Sequence, residues 1–213
     1  MFRFIAVIMS GAIALTACSS STDSNSGVQP AADLNTVRMI THESFVLSPS
    51  FVEDLLEQGI DLEITSTGDA GTLTASAILA AGQPTADLLF GIDNTLALRA
   101  TDENVFEAYT SPELASALPQ FIQDTQGGLL TPIDFGDVCI NIDDTWFAQE
   151  GTSVPANLEQ LPEVANLLVV QDPATSSPGL AFLLATVARF GDEWPAYWEA
   201  LRDGGVAVAG SWT

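Results

Sequence analysis

Apolar residues along this chain fall into short runs, and stretches rich in hydroxyl residues, glycine and proline separate them. Residues 37–40 form a β-rich run of the kind buried in a parallel sheet. Ser48 then reads as a helix N-cap with Pro49 at the first helical position. Phe51, Leu55 and Gln58-Gly59 complete a short helix with a glycine stop. Residues 62–65 predict a second strand, 73–81 an alanine-rich helix broken at Gly82, and 86–90 a third strand. Strands and helices alternating in this way argue for a doubly wound α/β sheet. Ligands in such sheets bind in loops beyond the carboxyl ends of the strands, and here those loops carry His42, Asp69 and Asp93.

The pattern changes in the middle of the chain. Residues 129–133 and 138–142, on either side of Asp134-Phe135-Gly136-Asp137, read as an extended pair crossing into a second region. A short helix starting at 143–147 and a weak one over 157–165, interrupted by Pro162, come next. The apolar run 167–170, the helices over 180–190 and 194–201, and the run 206–209 form another β–α–β unit. Two α/β lobes joined by extended crossovers describe a clamshell that closes on a ligand. The expected boundaries are 36–130 for the first lobe and 131–213 for the second. Trp194, Tyr197, Trp198 and Leu201 follow helical spacing along one face and are expected in the core. Cys139, in an apolar run, is expected to be a buried, inert thiol.

Between the 167–170 run and the 180–190 helix lies Gln171-Asp172-Pro173-Ala174-Thr175-Ser176-Ser177-Pro178-Gly179-Leu180. Pro178 suits a first helical turn, and Ser176 and Ser177 place hydroxyls beside the free N–H groups of the helix start. Such a turn suits an anion or polar ligand, and equally a plain cap by Ser177. Asp69 also lies at a helix start, where an N-cap and a ligand carboxylate are both open readings.

The amino terminus adds a location. Met1-Phe2-Arg3 is a short basic start, 4–15 is apolar, and Leu15-Thr16-Ala17-Cys18 follows. This is the layout of a secretory signal, and the run is too short for a comfortable membrane span. The last four residues resemble a bacterial lipobox. That implies cleavage of a signal over 1–17, a lipid on Cys18, and a flexible tether over 18–35. The chain is then expected outside the cytoplasm, lipid-anchored to a membrane. At the other end, Gly210-Ser211-Trp212-Thr213 comes straight after an apolar run, which suggests a fragment.

Charge narrows the partners. There are 28 acidic residues against 5 basic ones, a net charge of −23, so a nucleic-acid partner is not expected. His42 is the sole histidine, which argues against a metal cluster and against the usual triad base of a hydrolase. Setting Cys18 aside leaves Cys139 alone, so no intrachain disulfide is available.

Gly91-Ile92-Asp93-Asn94, Pro132-Ile133-Asp134-Phe135-Gly136, the 171–180 stretch and Gly210-Ser211-Trp212 are similar, in order and spacing, to segments of the periplasmic thiamine-binding proteins of ABC importers. The resemblance runs from about Val37 to the last residue. It implies a type II periplasmic-binding-protein clamshell with an incomplete second lobe, roughly another hundred residues, no catalytic role and no cofactor. It implies thiamine or a thiamine phosphate as ligand and an importer permease as partner. By position, Asp69 matches an acidic residue facing the thiamine cation, Ser176 a serine meeting the hydroxyethyl or phosphate end, and Trp212 a tryptophan packing on the ligand. His42 stands where the family has a tyrosine. Asp93, Asn94, Asp134 and Ser177 are further candidates for the pocket lining. Ferric iron or another small polar solute is the alternative ligand, although for iron Tyr109 and Tyr197 are far apart in the sequence. A secreted hydrolase is the remaining alternative; the chain has neither a Gly-x-Ser-x-Gly elbow nor a phosphate-binding glycine loop.

Overall fold

The structure, a computed structural model, describes residues 35–122 and 125–211. The signal, Cys18, the tether before Asn35, and Trp212 therefore lie outside the described residues.

Three parallel strands open the fold. β1 (Asn35–Thr41) lies between β2 (Ile60–Ser66) and β3 (Leu88–Phe90), with Val37 opposite Leu62 and Thr41 opposite both Ser66 and Phe90. Helix α1 (Pro49–Glu57) crosses from β1 to β2 and starts as its sequence dictates. Ser48 is extended, and its Oγ accepts from the Phe51 amide. Helix α2 (Ala70–Leu79) crosses from β2 to β3. Met39 and Thr41, two apart on β1 and so on one face of the sheet, are both buried, as are Leu73, Thr74 and Ala77 of α2. The alanine-rich composition of α2 lets it lie close to the sheet, and the short α3 (Ala97–Thr101) packs against it through Ala97 and Ala100.

The next stretch has little regular structure. It contains a 3-10 turn at Pro112–Ser116, α4 (Pro119–Ile122), and a turn at Gln126–Gly128. Residues 129–143 carry no strand, and Ile133, Phe135, Val138, Ile140 and Ile142 are exposed. The expected extended pair is thus not a ladder here. An apolar run becomes a strand only where a neighbouring strand supplies hydrogen bonds, and among the described residues no strand pairs with it. Cys139 lies in this run and is exposed, which corrects its expected burial.

The second unit is held by aromatic packing. After α5 (Asp144–Glu150), capped by Asp143, a 3-10 segment at Leu158–Leu167 leads into β4 (Val169–Gln171). Helices α6 (Ser177–Phe190) and α7 (Trp194–Asp203) then return the chain to β5 (Ala207–Ala209), parallel to β4. Leu161, Ala165, Tyr197 and Leu201 form the core, with Phe182, Phe190 and Trp198 packed against it. Phe190 stacks on Tyr197 at 4.3 Å between ring centres, and Tyr197 donates its hydroxyl proton to Leu158 O at 2.9 Å. Burial, and then the nearby Glu159 charge, push the Tyr197 hydroxyl up to about 12. Of the face expected in the core, Tyr197 and Leu201 are buried there and Trp198 packs against them, while Trp194 is half-buried and outside the cluster. The described residues form one compact unit containing both sheets. No helix among the described residues is long and apolar enough to cross a membrane.

Candidate functional site

The site is built at the carboxyl end of β1. Beyond the strand, backbone bonds continue the pairing with the chain after β2: Thr67 N donates to Thr41 O and Glu43 N to Gly68 O, each at 2.8 Å. Asp69 follows at once. Its backbone is extended, it is the N-cap of α2, and Oδ1 accepts from Ala70 N at 2.7 Å. A carboxylate suits this end of a helix, where free N–H groups concentrate partial positive charge. Its second oxygen, Oδ2, is buried and has no hydrogen-bond partner. The cap reading of Asp69 is therefore correct for one oxygen and leaves the other free.

The second wall comes from the loop after β4. Asp172 organises that loop. Its N–H donates to Ala209 O at 2.7 Å, its Oδ1 accepts from Ala174 N at 2.8 Å, and its carbonyl accepts from Ser176 N at 2.9 Å. Thr175 adds a hydroxyl bond to Gly210 O at 2.7 Å. The result is a tight turn that delivers Ser176 to the N-cap position of α6, where its carbonyl accepts from Leu180 N. The Ser176 side chain makes no capping bond. It is 1% exposed, and its Oγ has no partner. The cap expected at Ser177 is not formed there either, because Ser177 is already the first helical residue.

One backbone hydrogen bond joins the walls: Gly71 N donates to Thr175 O at 2.8 Å. Gly71 is the second residue of α2, and a Cβ there would lie 2.7 Å from Thr175 O and 2.8 Å from Ala174 O. Only glycine lets α2 approach the loop so closely. The bond sets the residues that follow Asp69 against the residue that precedes Ser176. Three buried side-chain atoms among the described residues lack partners: Asp69 Oδ2, Ser176 Oγ, and Thr41 Oγ1 at the end of β1.

The other candidates are placed less centrally. His42 follows Thr41 and belongs to an aromatic group, 6.3 Å from Phe45 and 6.1 Å from Phe90 between ring centres. It lies over Gly91, where an added Cβ would come within 2.4 Å of His42 Cδ2. Asp93 uses Oδ1 to accept from Thr95 N, Thr95 Oγ1 and Leu96 N, which fixes the turn into α3. Asn94 and Asp134 are exposed. Thr41, Gly71 and Thr175 did not stand out in the sequence. The signal for Thr41 was its position as the last buried residue of β1, directly before a candidate loop. Gly71 and Thr175 meet only in three dimensions. Among the described residues no group of three or more His, Cys, Asp or Glu is arranged to hold a metal ion. Tyr109 is exposed, and Tyr197 spends its hydroxyl inside the core, so neither tyrosine lies among the residues of this site.

Comparison with known proteins places this arrangement. The family described as bacterial extracellular solute-binding protein matches residues 83–210. The thiamine-binding periplasmic protein of Brucella suis biovar 1 (strain 1330) is 27% identical over 196 residues, covering 88% of this chain and 56% of the relative. Among solved structures, a periplasmic thiamin binding protein superposes with a TM-score of 0.64 at 24% identity, over 84% of this chain and 56% of that one. The periplasmic binding protein AfuA from Actinobacillus pleuropneumoniae, with exogenous fructose-6-phosphate bound, gives 0.58 at 15% identity, over 83% and 57%. The α/β two-lobed binding-protein fold expected from the sequence is the fold of these structures. The chain spans a little over half the length of the relatives it matches.

Proposed function

The chain belongs to the bacterial extracellular solute-binding protein family, and from that premise we propose that it is the receptor of an ABC importer for thiamine or a thiamine phosphate. The reading rests on the junction of α2 and α6. There the Gly71–Thr175 bond brings together a buried carboxylate oxygen and a buried hydroxyl, both unpartnered. A carboxylate at this place accepts from, and neutralises, a cationic solute. A serine hydroxyl at a helix start serves a hydroxyl or phosphate at the other end of the ligand. The curated relative named for thiamine supports the choice of solute. The lobes are proposed as 36–130 and 131–213. His42, beside Phe45 and Phe90, is proposed as a polar ligand contact. Ser177, next to Ser176, and Asp93, Asn94 and Asp134 are proposed as further pocket lining. Trp212 is proposed as an aromatic face for the ligand. The receptor is proposed to reach its permease from the outer face of the membrane, on a lipid at Cys18.

Calorimetry of the full-length protein with thiamine, its monophosphate and its diphosphate tests the ligand. Saturable heat with at least one of them is expected. No heat with any, but saturable binding of a sugar phosphate or of ferric citrate, overturns the assignment. The anchor is tested separately: Cys18→Ala should release the protein from membranes. An unmodified Cys18 in the mature protein, read by mass spectrometry, overturns that part alone.

A further inference from the structure

Thr41 ends β1, is 1% exposed, and carries an Oγ1 with no hydrogen-bond partner. Burying a hydroxyl in this way forfeits its bonds to water with nothing in return, so each such group calls for an explanation. The other atoms in this condition among the described residues are Asp69 Oδ2 and Ser176 Oγ. These three come from three different elements, and backbone bonds gather the elements to one place. Thr67 N to Thr41 O and Glu43 N to Gly68 O hold the approach to Asp69 alongside the end of β1. Gly71 N to Thr175 O then holds the approach to Ser176 against α2. Unpartnered groups scattered through a protein are separate defects. Three of them, on β1, α2 and α6 and linked through these backbone bonds, form a set that a single polar solute would satisfy.

From this geometry we infer that the Thr41 hydroxyl is a third polar ligand contact, beside Asp69 and Ser176. The inference rests on the proposed ligand site and deepens it by naming the chemistry the solute must present. An ionised Asp69 only accepts, so it takes a donor or a positive charge. The Thr41 hydroxyl both donates and accepts, so it takes a second polar group, donor or acceptor, on the same end of the solute. The site therefore selects a solute with two polar groups side by side at its cationic end.

Thr41→Val keeps the β-branch and removes the hydroxyl. It should weaken binding of thiamine by about three- to tenfold, the value of one neutral hydrogen bond. The melting temperature of the unliganded protein should stay level or rise, because a buried, unpartnered oxygen has been removed. Thr41→Ser, which keeps the hydroxyl, should hold the parent affinity even if it melts earlier. Valine binding as tightly as the parent overturns the inference. So does a lower melting temperature for valine, since the hydroxyl then has a permanent partner, and so does serine losing affinity as much as valine. Thr41→Ala, compared with Thr41→Ser, repeats the affinity test with a second variant that lacks the hydroxyl. A parent that binds none of the thiamine compounds is a different failure: the ligand reading falls and Thr41 falls with it.

Discussion

Helix α2 opens with Asp69 and helix α6 with Ser176, and at both openings a side-chain oxygen is buried without a partner. The two residues reach that condition differently. A carboxylate has two oxygens, so Asp69 caps its helix with one and keeps the other. Serine has one, and Ser176 leaves its helix uncapped. Helix α6 tolerates this because it spans 14 residues and is fastened by Phe182 and Phe190 to the aromatic core. Helix α2 has no aromatic anchor, and its packing on the sheet goes through Leu73, Thr74 and alanines. The glycines in the two first turns differ in a parallel way. A Cβ on Gly179 would strike Gln171 O, within its own strand–helix unit, at 2.5 Å. A Cβ on Gly71 would strike Thr175 O of the other unit. One glycine keeps a unit folded, and the other keeps two units together.

Neutralising the carboxylate should have the largest effect. Asp69→Asn retains a capping oxygen, so stability should stay within about 1 kcal/mol of the parent. Binding of a cationic solute should fall by about 1.5–3 kcal/mol, roughly ten- to a hundredfold by calorimetry. Unchanged affinity at moderate salt reduces Asp69 to a cap and removes the difference between the helix starts. Next come the two glycines. Gly179→Ala should cost about 1–3 kcal/mol in denaturant unfolding, because a backbone carbonyl must move. Gly71→Ala clashes with the loop after β4 and not within α2's own unit, so its loss should appear in affinity more than in melting. If the two variants behave alike in both assays, the distinction between an internal and a joining glycine fails.

Smaller effects test the serine. Ser176→Ala removes an oxygen that caps nothing, so unfolding stability should not drop. Affinity should fall by about 0.5–1.5 kcal/mol, more for a phosphorylated solute than for thiamine. A clear loss of stability would show that Ser176 caps α6 after all. The smallest expected effect concerns the anchoring of α6. Hydrogen bonding from the backbone, and then from Arg189, holds the exposed Glu159 carboxyl below its usual value of 4.5. Because the folded pKa is depressed, the stabilisation is present above the ordinary glutamate range and disappears as pH falls through the folded value. The melting temperature of Glu159→Gln should lie slightly below the parent near neutrality and converge with it in acid. A gap that persists in acid assigns the effect to packing.

Much of this was legible along the chain. Ser48-Pro49 announced α1, Asp69 announced a helix start, and the strand–hydroxyl–proline–glycine order of 167–180 announced α6. Those signals are local, since a cap or a first-turn proline acts within four residues. Two kinds of information were not legible. Residues 129–142 have the apolar character of strands, yet whether such a run pairs depends on a neighbour that its own sequence does not name. The free oxygens of Asp69, Thr41 and Ser176 depend on which partners are missing, and a sequence states only which groups are present. The resemblance to thiamine-binding proteins singled out Asp69 and Ser176 but passed over Thr41, whose last position in a β-rich run reads as ordinary strand packing.

The bond between Gly71 and Thr175 has a consequence for how fast and how often the site is ready. Both partners are main-chain groups of the protein, so a solute supplies no part of it. A receptor that joins its walls only through its ligand is competent for a small fraction of the time, and its apparent affinity is reduced by that fraction. A joint made by the chain itself raises the competent fraction beforehand. For a solute that binds at Asp69 and Ser176 as proposed, the two residues would already be in register, and more of the contact energy would appear as affinity.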